Sequence, residues 1–203
     1  LSLRRQRQMC IRDRLYLDIE KMEIIDFVGG YKDLQNKKLK SIGDSYERFK
    51  EDPVRILRAI RFKAKLSLDL DKKLEADMKK LSYLLKEISS GRKYEETLKM
   101  LLTGNAELIM TEMNSHNLLE HLLPLTKDFL NSKKDKRFIY NALKNTDDRY
   151  SKNQSLTPAF LFSVLLWPAL VNKMGGITSK KTKLHNISRA ATVSYTHLRA
   201  HET

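Results

Sequence analysis

The chain has 203 residues, a hydrophobic share of 41%, a charged share of 32% and a net charge of +14. This composition is typical of a soluble, globular protein and excludes a largely disordered chain. No apolar run reaches the ~18 residues that a membrane span needs. The positive charge favours a polyanionic partner, most often nucleic acid, although a basic protein without such a partner fits it as well. A single cysteine forms no internal disulfide and fits a reducing cytoplasm.

The first part of the chain predicts a few short strands. Residues 15–20 alternate apolar and polar side chains, as a half-buried strand does. A second β-prone run spans Met22 to Val28, and Lys38 to Ile42 predicts a third strand. Because so few strands are marginal alone, we interpret residues 15–43 as the end of a sheet whose other strands are missing.

A glycine pair breaks the second strand in the sequence Asp26-Phe27-Val28-Gly29-Gly30-Tyr31-Lys32-Asp33-Leu34. Paired glycines let the backbone turn sharply or approach another surface. The carboxylates of Asp26 and Asp33 can accept hydrogen bonds from this turn. An ordinary structural turn explains these residues too.

From Asp44 onward the hydrophobic spacing predicts helices, so the expected fold is mainly α. The predicted helices are 53–66, 71–87, 92–102 with a stop at Gly104, 105–114, 116–123, 125–131, 135–144, and one that opens at Thr157-Pro158 and ends near Trp167-Pro168. Gly175-Gly176 and Lys180, Lys181 and Lys183 predict a loose segment after them.

The helix from residue 53 begins with Glu51-Asp52-Pro53-Val54-Arg55. The Asp52 carboxylate can cap the first turn, and Pro53 lacks an N–H that would be unpaired there. Arg55 shares a face with Asp52, so an acceptor and a planar donor lie together, as recognition of a base edge requires. A helix cap with a salt-bridge partner is the alternative interpretation.

This segment resembles the EDxxR nucleotide-recognition motif of class II template-independent nucleotidyltransferases, the family of CCA-adding enzymes and bacterial poly(A) polymerases. The resemblance implies that Asp52 and Arg55 bind the base of the incoming nucleotide, beside Glu51 as a site-shaping residue. Arg58 either reaches the triphosphate or steadies this pair, and a solvated basic face explains it equally well.

Two further segments resemble motifs of the same family. Residues 26–34 match its DxxGGxxDL motif, which implies a hinge between a catalytic head and a helical neck, with the bend at Gly29 and Gly30. Arg92 and Glu96 match its ERxxxEL element and would shape the site, although an ordinary i,i+4 pair is the alternative. The match is imperfect, because Gly91 stands where the family often has Glu.

The residues that perform catalysis are not found in this sequence. Nucleotidyl transfer uses clustered carboxylates that hold metal ions, and the resemblance places them upstream of Leu15, on a missing head domain that binds Mg²⁺ and uses ATP as substrate. We assign no catalytic or metal-binding residue; Asp18 and Glu20 lack the Gly-rich lead-in. The histidines lack zinc-ligand spacing, and no P-loop appears.

A basic cluster lies near the start of the predicted helix 135–144. It consists of Lys133, Lys134, Lys136 and Arg137. Such a cluster is usually a solvated helix start, but the overall charge makes it a candidate contact for an RNA backbone.

Both ends of the chain look foreign. Residues 1–14 and 192–203 resemble translated sequencing adapter, so they are excluded from the fold prediction. We therefore expect an interior fragment with a head remnant (15–43), a helical neck for base recognition and RNA binding (44–104), and a helical RNA-binding body (105–191).

Within the family, residues 143–149 and 158–162 look more like bacterial poly(A) polymerases than CCA-adding enzymes. The implied activity is template-independent addition of AMP from ATP to RNA 3′ ends by a cytoplasmic protein. A CCA-adding tRNA nucleotidyltransferase is the alternative enzyme, and a helical RNA-binding module without catalysis is the alternative class. The fragment alone is expected to be inactive, since it lacks the metal site.

Overall fold

The computed structural model describes residues 15–18 and 21–175. Both predicted adapter segments and Lys180, Lys181 and Lys183 lie outside these residues. The described chain is mainly helical with a few short strands, which confirms the predicted fold class. Its elements are β1 (Leu15–Asp18), β2 (Glu23–Asp26), α1 (Gly30–Gln35), β3 (Lys38–Leu39), α2 (Ser45–Glu51), α3 (Val54–Leu66), β4 (Asp69–Leu70), α4 (Lys72–Leu81), a 3-10 helix (Ser82–Glu87), α5 (Ser90–Leu101), α6 (Ala106–Ser115), α7 (Leu119–Leu122), α8 (Pro124–Phe129), α9 (Lys133–Ser151) and α10 (Pro158–Gly175).

The chain divides into two compact units, one up to Leu84 and the other from Leu85. This division falls inside residues 44–104, which the sequence assigns to a single neck. The predicted domain bounds remain a prediction.

The strands of the first unit form two small pairs. β1 and β2 pair antiparallel, with Leu15 opposite Asp26. β3 pairs parallel with β4, a strand that the sequence did not predict. The predicted strand Lys38–Ile42 is wrong beyond Leu39, because β4 offers only a short partner and Gly43 turns the chain at φ +79°.

The apolar spacing of helix 53–66 predicts a buried stripe of Val54, Leu57, Ile60 or Arg61, and Ala64, and the structure buries Ile60 rather than Arg61. Val54, Leu57, Ile60 and Ala64 are all buried, as their three- and four-residue spacing requires. The predicted single helix 71–87 is wrong, because the α-helix ends at Leu81 and a 3-10 helix follows. The Ser82 hydroxyl donates to the Lys79 carbonyl at 3.0 Å at this point, a local bond that competes with regular helix geometry.

The second unit is helical, and a residue of α9 caps the distant start of α6. The Asp147 carboxylate accepts from the backbone N–H groups of Ala106 at 2.7 Å and Glu107 at 3.1 Å. It therefore satisfies donors that the first turn of α6 leaves unpaired, and it fixes α9 against the start of α6.

The two last helices are longer than predicted. α9 spans Lys133–Ser151 instead of residues 135–144: Ser132 caps it by accepting from the N–H of Asp135, and buried Thr146 continues its apolar face. It ends before Asn153, whose φ is +52°.

α10 starts at Pro158 as predicted but continues past Pro168 to Gly175. A proline inside a helix removes one backbone hydrogen bond, and its ring clashes with a carbonyl of the preceding turn. The hydroxyl of Thr126 donates to the carbonyl of Leu165, in the turn before Pro168, at 3.2 Å. Among the described residues, no helix is long and apolar enough to cross a membrane.

Candidate functional site

Asp52 forms the corner between α2 and α3. Its backbone is extended, at φ −150° and ψ 96°, and its N–H donates to the carbonyl of Arg48 at 3.3 Å. Its carboxylate accepts from the N–H of Val54 at 3.3 Å, so it caps α3 as the sequence predicts, while Pro53 occupies the position before the first helical residue.

Arg55 lies in the first turn of α3, and residues of α2 hold its side chain. Its Nη1 donates to the Glu51 carboxylate at 2.6 Å and to the carbonyl of Arg48 at 2.8 Å. Only 11% of the Arg55 side chain is exposed, against 58% for Glu51. Arg55 is therefore a nearly buried guanidinium with a fixed orientation.

The Nε of Arg55 is buried and has no hydrogen-bond partner within the protein. A buried donor left unpaired costs roughly 1–3 kcal/mol, so native proteins rarely keep one without a use for it. Burial of Nε without a partner therefore sets Arg55 apart from an ordinary surface arginine.

Glu51 is a direct partner of Arg55. The hydrogen bond from Arg55 holds the pKa of the Glu51 carboxyl below its usual range, and the charges of Arg55 and Arg48 act in the same direction. Glu51 therefore stays ionised at neutral pH and keeps Arg55 in place.

Sequence analysis missed Arg48. It supplies the carbonyl that accepts from Arg55, and its own guanidinium approaches Glu51 at 3.5 Å. Its position seven residues before Arg55, on the same face across the helix break, is a signal that could have found it. Arg58 lies one turn beyond Arg55 on α3 and is half-buried.

The Gly-Gly segment is a capped turn. The Asp26 carboxylate accepts from the N–H groups of Val28, Gly30 and Tyr31 at 3.1, 2.9 and 2.8 Å. These bonds, led by that of Tyr31 and then that of Gly30, lower the pKa of Asp26. Gly29 has a φ of +71°, which favours glycine.

Asp33 lies at the other end of the same segment, and its side chain is largely buried in the first unit. Its carboxylate pairs with the Lys40 ammonium at 2.7 Å, and its side chain is only 12% exposed. The turn is therefore anchored on both sides of Gly29 and Gly30.

Arg92 and Glu96 lie on α5 in the second unit. Arg92 is exposed, whereas Glu96 is buried and pairs with the Lys99 ammonium at 3.2 Å. Glu96 is therefore a buried carboxylate with an ammonium partner on its own helix, and a site-shaping role for Arg92 and Glu96 stays a prediction.

The basic cluster occupies the first turns of α9, where Lys133, Lys134, Lys136 and Arg137 are all exposed. Cations at a helix N-terminus are placed unfavourably with respect to the helix dipole. Asp135 is the acidic residue of that first turn. The helix dipole therefore does not account for this cluster; within α9, the Lys136 ammonium lies 5.6 Å from the centroid of the Tyr140 ring.

A second basic surface was not predicted. The Tyr46 ring lies between two ammonium groups, with Lys50 Nζ 4.4 Å and Lys80 Nζ 5.0 Å from its centroid. It joins α2 to α4, and only the folded arrangement of these helices brings Lys80 to Tyr46.

In the part of the chain that the structure describes, no group of three or more His, Cys, Asp or Glu side chains could hold a metal ion. The described residues thus do not supply the carboxylate cluster that a magnesium site requires.

The chain is similar to known proteins over most of its length. Residues 67–130 match a family described as "Probable RNA and SrmB- binding site of polymerase A". Poly(A) polymerase I of Haemophilus influenzae is 37% identical over 163 residues, which cover 79% of this chain and 36% of that protein. The CCA-adding enzyme of Bacillus pumilus is 40% identical over 108 residues, 53% of this chain and 27% of that protein.

Among solved structures, the Bacillus stearothermophilus CCA-adding enzyme in complex with CTP matches with a TM-score of 0.52 at 21% identity, over 80% of this chain and 44% of that one. The described residues therefore share the fold of part of that enzyme. The chain belongs to the family of bacterial poly(A) polymerase I and the CCA-adding enzymes. It spans about 36% of the length of the poly(A) polymerase that it matches.

Proposed function

We propose that the full-length protein adds AMP from ATP to RNA 3′ ends without a template, and that this chain carries its base-recognition and RNA-binding part. The observation that carries the proposal is the nearly buried Arg55 guanidinium, whose orientation is fixed by Glu51 and the Arg48 carbonyl. A fixed planar donor in the first turn of the helix that the Asp52 carboxylate caps suits the edge of an adenine, which offers both an acceptor and a donor.

The other predicted residues have supporting roles in this proposal. Glu51 positions Arg55, while Arg58 contacts the phosphates or steadies the pair. Arg92 and Glu96 shape the site, and the anchored turn at Asp26, Gly29, Gly30 and Asp33 is the hinge to the head. The exposed cluster Lys133, Lys134, Lys136 and Arg137 contacts the RNA backbone, since phosphates are the usual partners of exposed Lys and Arg in such proteins.

Catalysis in this proposal requires Mg²⁺ and ATP, with the metal held by carboxylates outside the described residues. No step of the metal chemistry is assigned to this chain. The bacterial relatives support action in the cytoplasm.

The similarity to the Bacillus pumilus enzyme favours a second candidate, CCA addition to tRNA. The stretch similar to poly(A) polymerase I is longer, however, and covers 79% of this chain against 53%. We therefore place adenylation first.

Extension of RNA by the purified full-length protein with Mg²⁺ tests the proposal. With ATP as the only nucleotide, we expect a generic single-stranded RNA to gain a long tail, while CTP is used poorly. Efficient use of CTP on tRNA that stops after CCA would establish the second candidate instead. No extension with any nucleotide would contradict both.

A further inference from the structure

A pocket of about 390 Å³ opens between the C-terminal end of α9 and the first turn of α10. Its lining consists of Asn145, Asp148, Arg149, Lys152, Gln154 and Phe160. Its volume is within the range of sites that hold small organic groups. The pocket lies wholly in the second unit and shares no residue with the Arg55 site.

The wall of this pocket combines the ring of Phe160 with the guanidinium of Arg149 and the ammonium of Lys152. Phe160 is 49% exposed, so one part of its ring is open to solvent. The Arg149 Nε and Nη2 donate to the carbonyl of Ser155 at 3.3 and 3.0 Å, which fixes the guanidinium at the rim. Lys152 adds a flexible ammonium.

The amides in the pocket fit the edge of a base. Asn145 and Gln154 each carry a donor and an acceptor, and Asp148 adds a second acceptor. An open aromatic ring, cations for phosphate and amides for a base edge are together the chemistry of single-stranded RNA recognition. The Asp148 carboxylate makes the pocket unsuitable for a free triphosphate, which concentrates negative charge.

A stripe along α9, extended by its C-cap residue Lys152, connects this pocket to the basic cluster. Its members recur at intervals of three or four residues and are all exposed: Lys134, Arg137, Asn141, Asn145, Asp148 and Lys152. From Arg137 to Lys152 the stripe is roughly 20 Å long at the rise of an α-helix. A strand of several nucleotides can follow it, within the usual site sizes of single-strand binding proteins.

We propose that the α9–α10 pocket is a subsite for one nucleotide of single-stranded RNA, with its base stacked on Phe160 and the neighbouring phosphates on Lys152 and Arg149. The strand then follows the α9 stripe toward Arg137. This proposal rests on the RNA-binding part of the proposed function and adds to it a base-stacking contact.

Binding of a labelled single-stranded oligoadenylate of about 12 nucleotides to the 203-residue chain tests the subsite by fluorescence anisotropy. We expect Phe160→Ala to weaken binding by roughly tenfold without changing the salt dependence, because stacking involves no counterion release. Phe160→Tyr retains a ring and should restore most of the affinity. Lys152→Ala should lower the salt slope by about 0.7.

Trp167→Ala is the matched control. Trp167 lies on the same helix, is also 49% exposed and does not line the pocket, so we expect wild-type affinity. An oligonucleotide with abasic positions should bind the wild type and Phe160→Ala equally, since it has no base to stack.

The outcomes separate this proposal from the one that precedes it. A wild-type chain that binds no RNA overturns the RNA-binding proposal together with the subsite. RNA binding that is equal in wild type and Phe160→Ala overturns the subsite alone. If that equality is accompanied by loss of self-association in Phe160→Ala, the exposed ring serves protein docking instead.

Discussion

Gly104→Ala is expected to destabilise the second unit by about 3 kcal/mol. Gly104 has a φ of +82°, and a Cβ built there lies 2.4 Å from Cδ1 of Tyr150. The substitution therefore adds the strain of a left-handed non-glycine residue to a steric clash with a ring of α9. Urea denaturation followed by circular dichroism measures the loss.

Two variants separate the two causes. Gly29→Ala has a similar φ of +71° but meets nothing within 4 Å, so it should cost only about 1 kcal/mol. Adding Tyr150→Ala to Gly104→Ala should recover much of the stability, because Tyr150 is 46% exposed and its removal relieves the clash. A double variant no more stable than Gly104→Ala would contradict the steric explanation.

Arg55→Ala is expected to lower kcat/KM for ATP in the full-length protein by roughly 10- to 100-fold, the effect of losing charge-assisted hydrogen bonds worth about 1.5–3 kcal/mol. RNA affinity should stay nearly unchanged, because Arg55 is almost buried and contacts Glu51 and the Arg48 carbonyl. Steady-state kinetics with each nucleotide and a separate RNA-binding titration measure the two effects.

Lys65→Ala is the matched control for charge. It removes one cation from the exposed end of the same helix, so we expect wild-type use of ATP. Thermal melting of both variants identifies a temperature at which each is folded. If Arg55→Ala used ATP as well as the wild type does, the base-recognition role would be contradicted, and Arg55 would be only the salt-bridge partner of Glu51.

The local signals of the sequence predict the start of α3 and its buried face. Asp52, Pro53 and the spacing of Val54, Leu57, Ile60 and Ala64 each act within one or two turns, and the folded chain uses them as expected. The start of α10 at Pro158 follows from the same kind of signal.

Features that depend on contacts between residues distant in the chain could not be predicted from local sequence signals. Local reasoning ends α10 near Pro168, whereas the helix continues to Gly175 and its Leu165 carbonyl accepts from Thr126, almost forty residues earlier. The cap of α6 comes from Asp147, far along the chain, and the pocket needs both the end of α9 and Phe160 of α10.

At the candidate site, the sequence predicts that Asp52 and Arg55 lie together but not what holds Arg55. The folded chain supplies the Arg48 carbonyl and the Glu51 carboxylate, because α2 ends where α3 begins. The base-reading role itself comes from the resemblance, and it stays a proposal.

The effect of Asp52→Asn on nucleotide choice tests the central proposal most directly. Asparagine caps a helix about as well as aspartate, so the stability of α3 should change little. Its side chain, however, replaces a pure acceptor by a donor and an acceptor. We predict that full-length Asp52→Asn keeps its melting temperature but loses preference for ATP over the other nucleotides in RNA extension. An unchanged preference at an unchanged melting temperature would contradict base recognition and leave Asp52 as a helix cap alone.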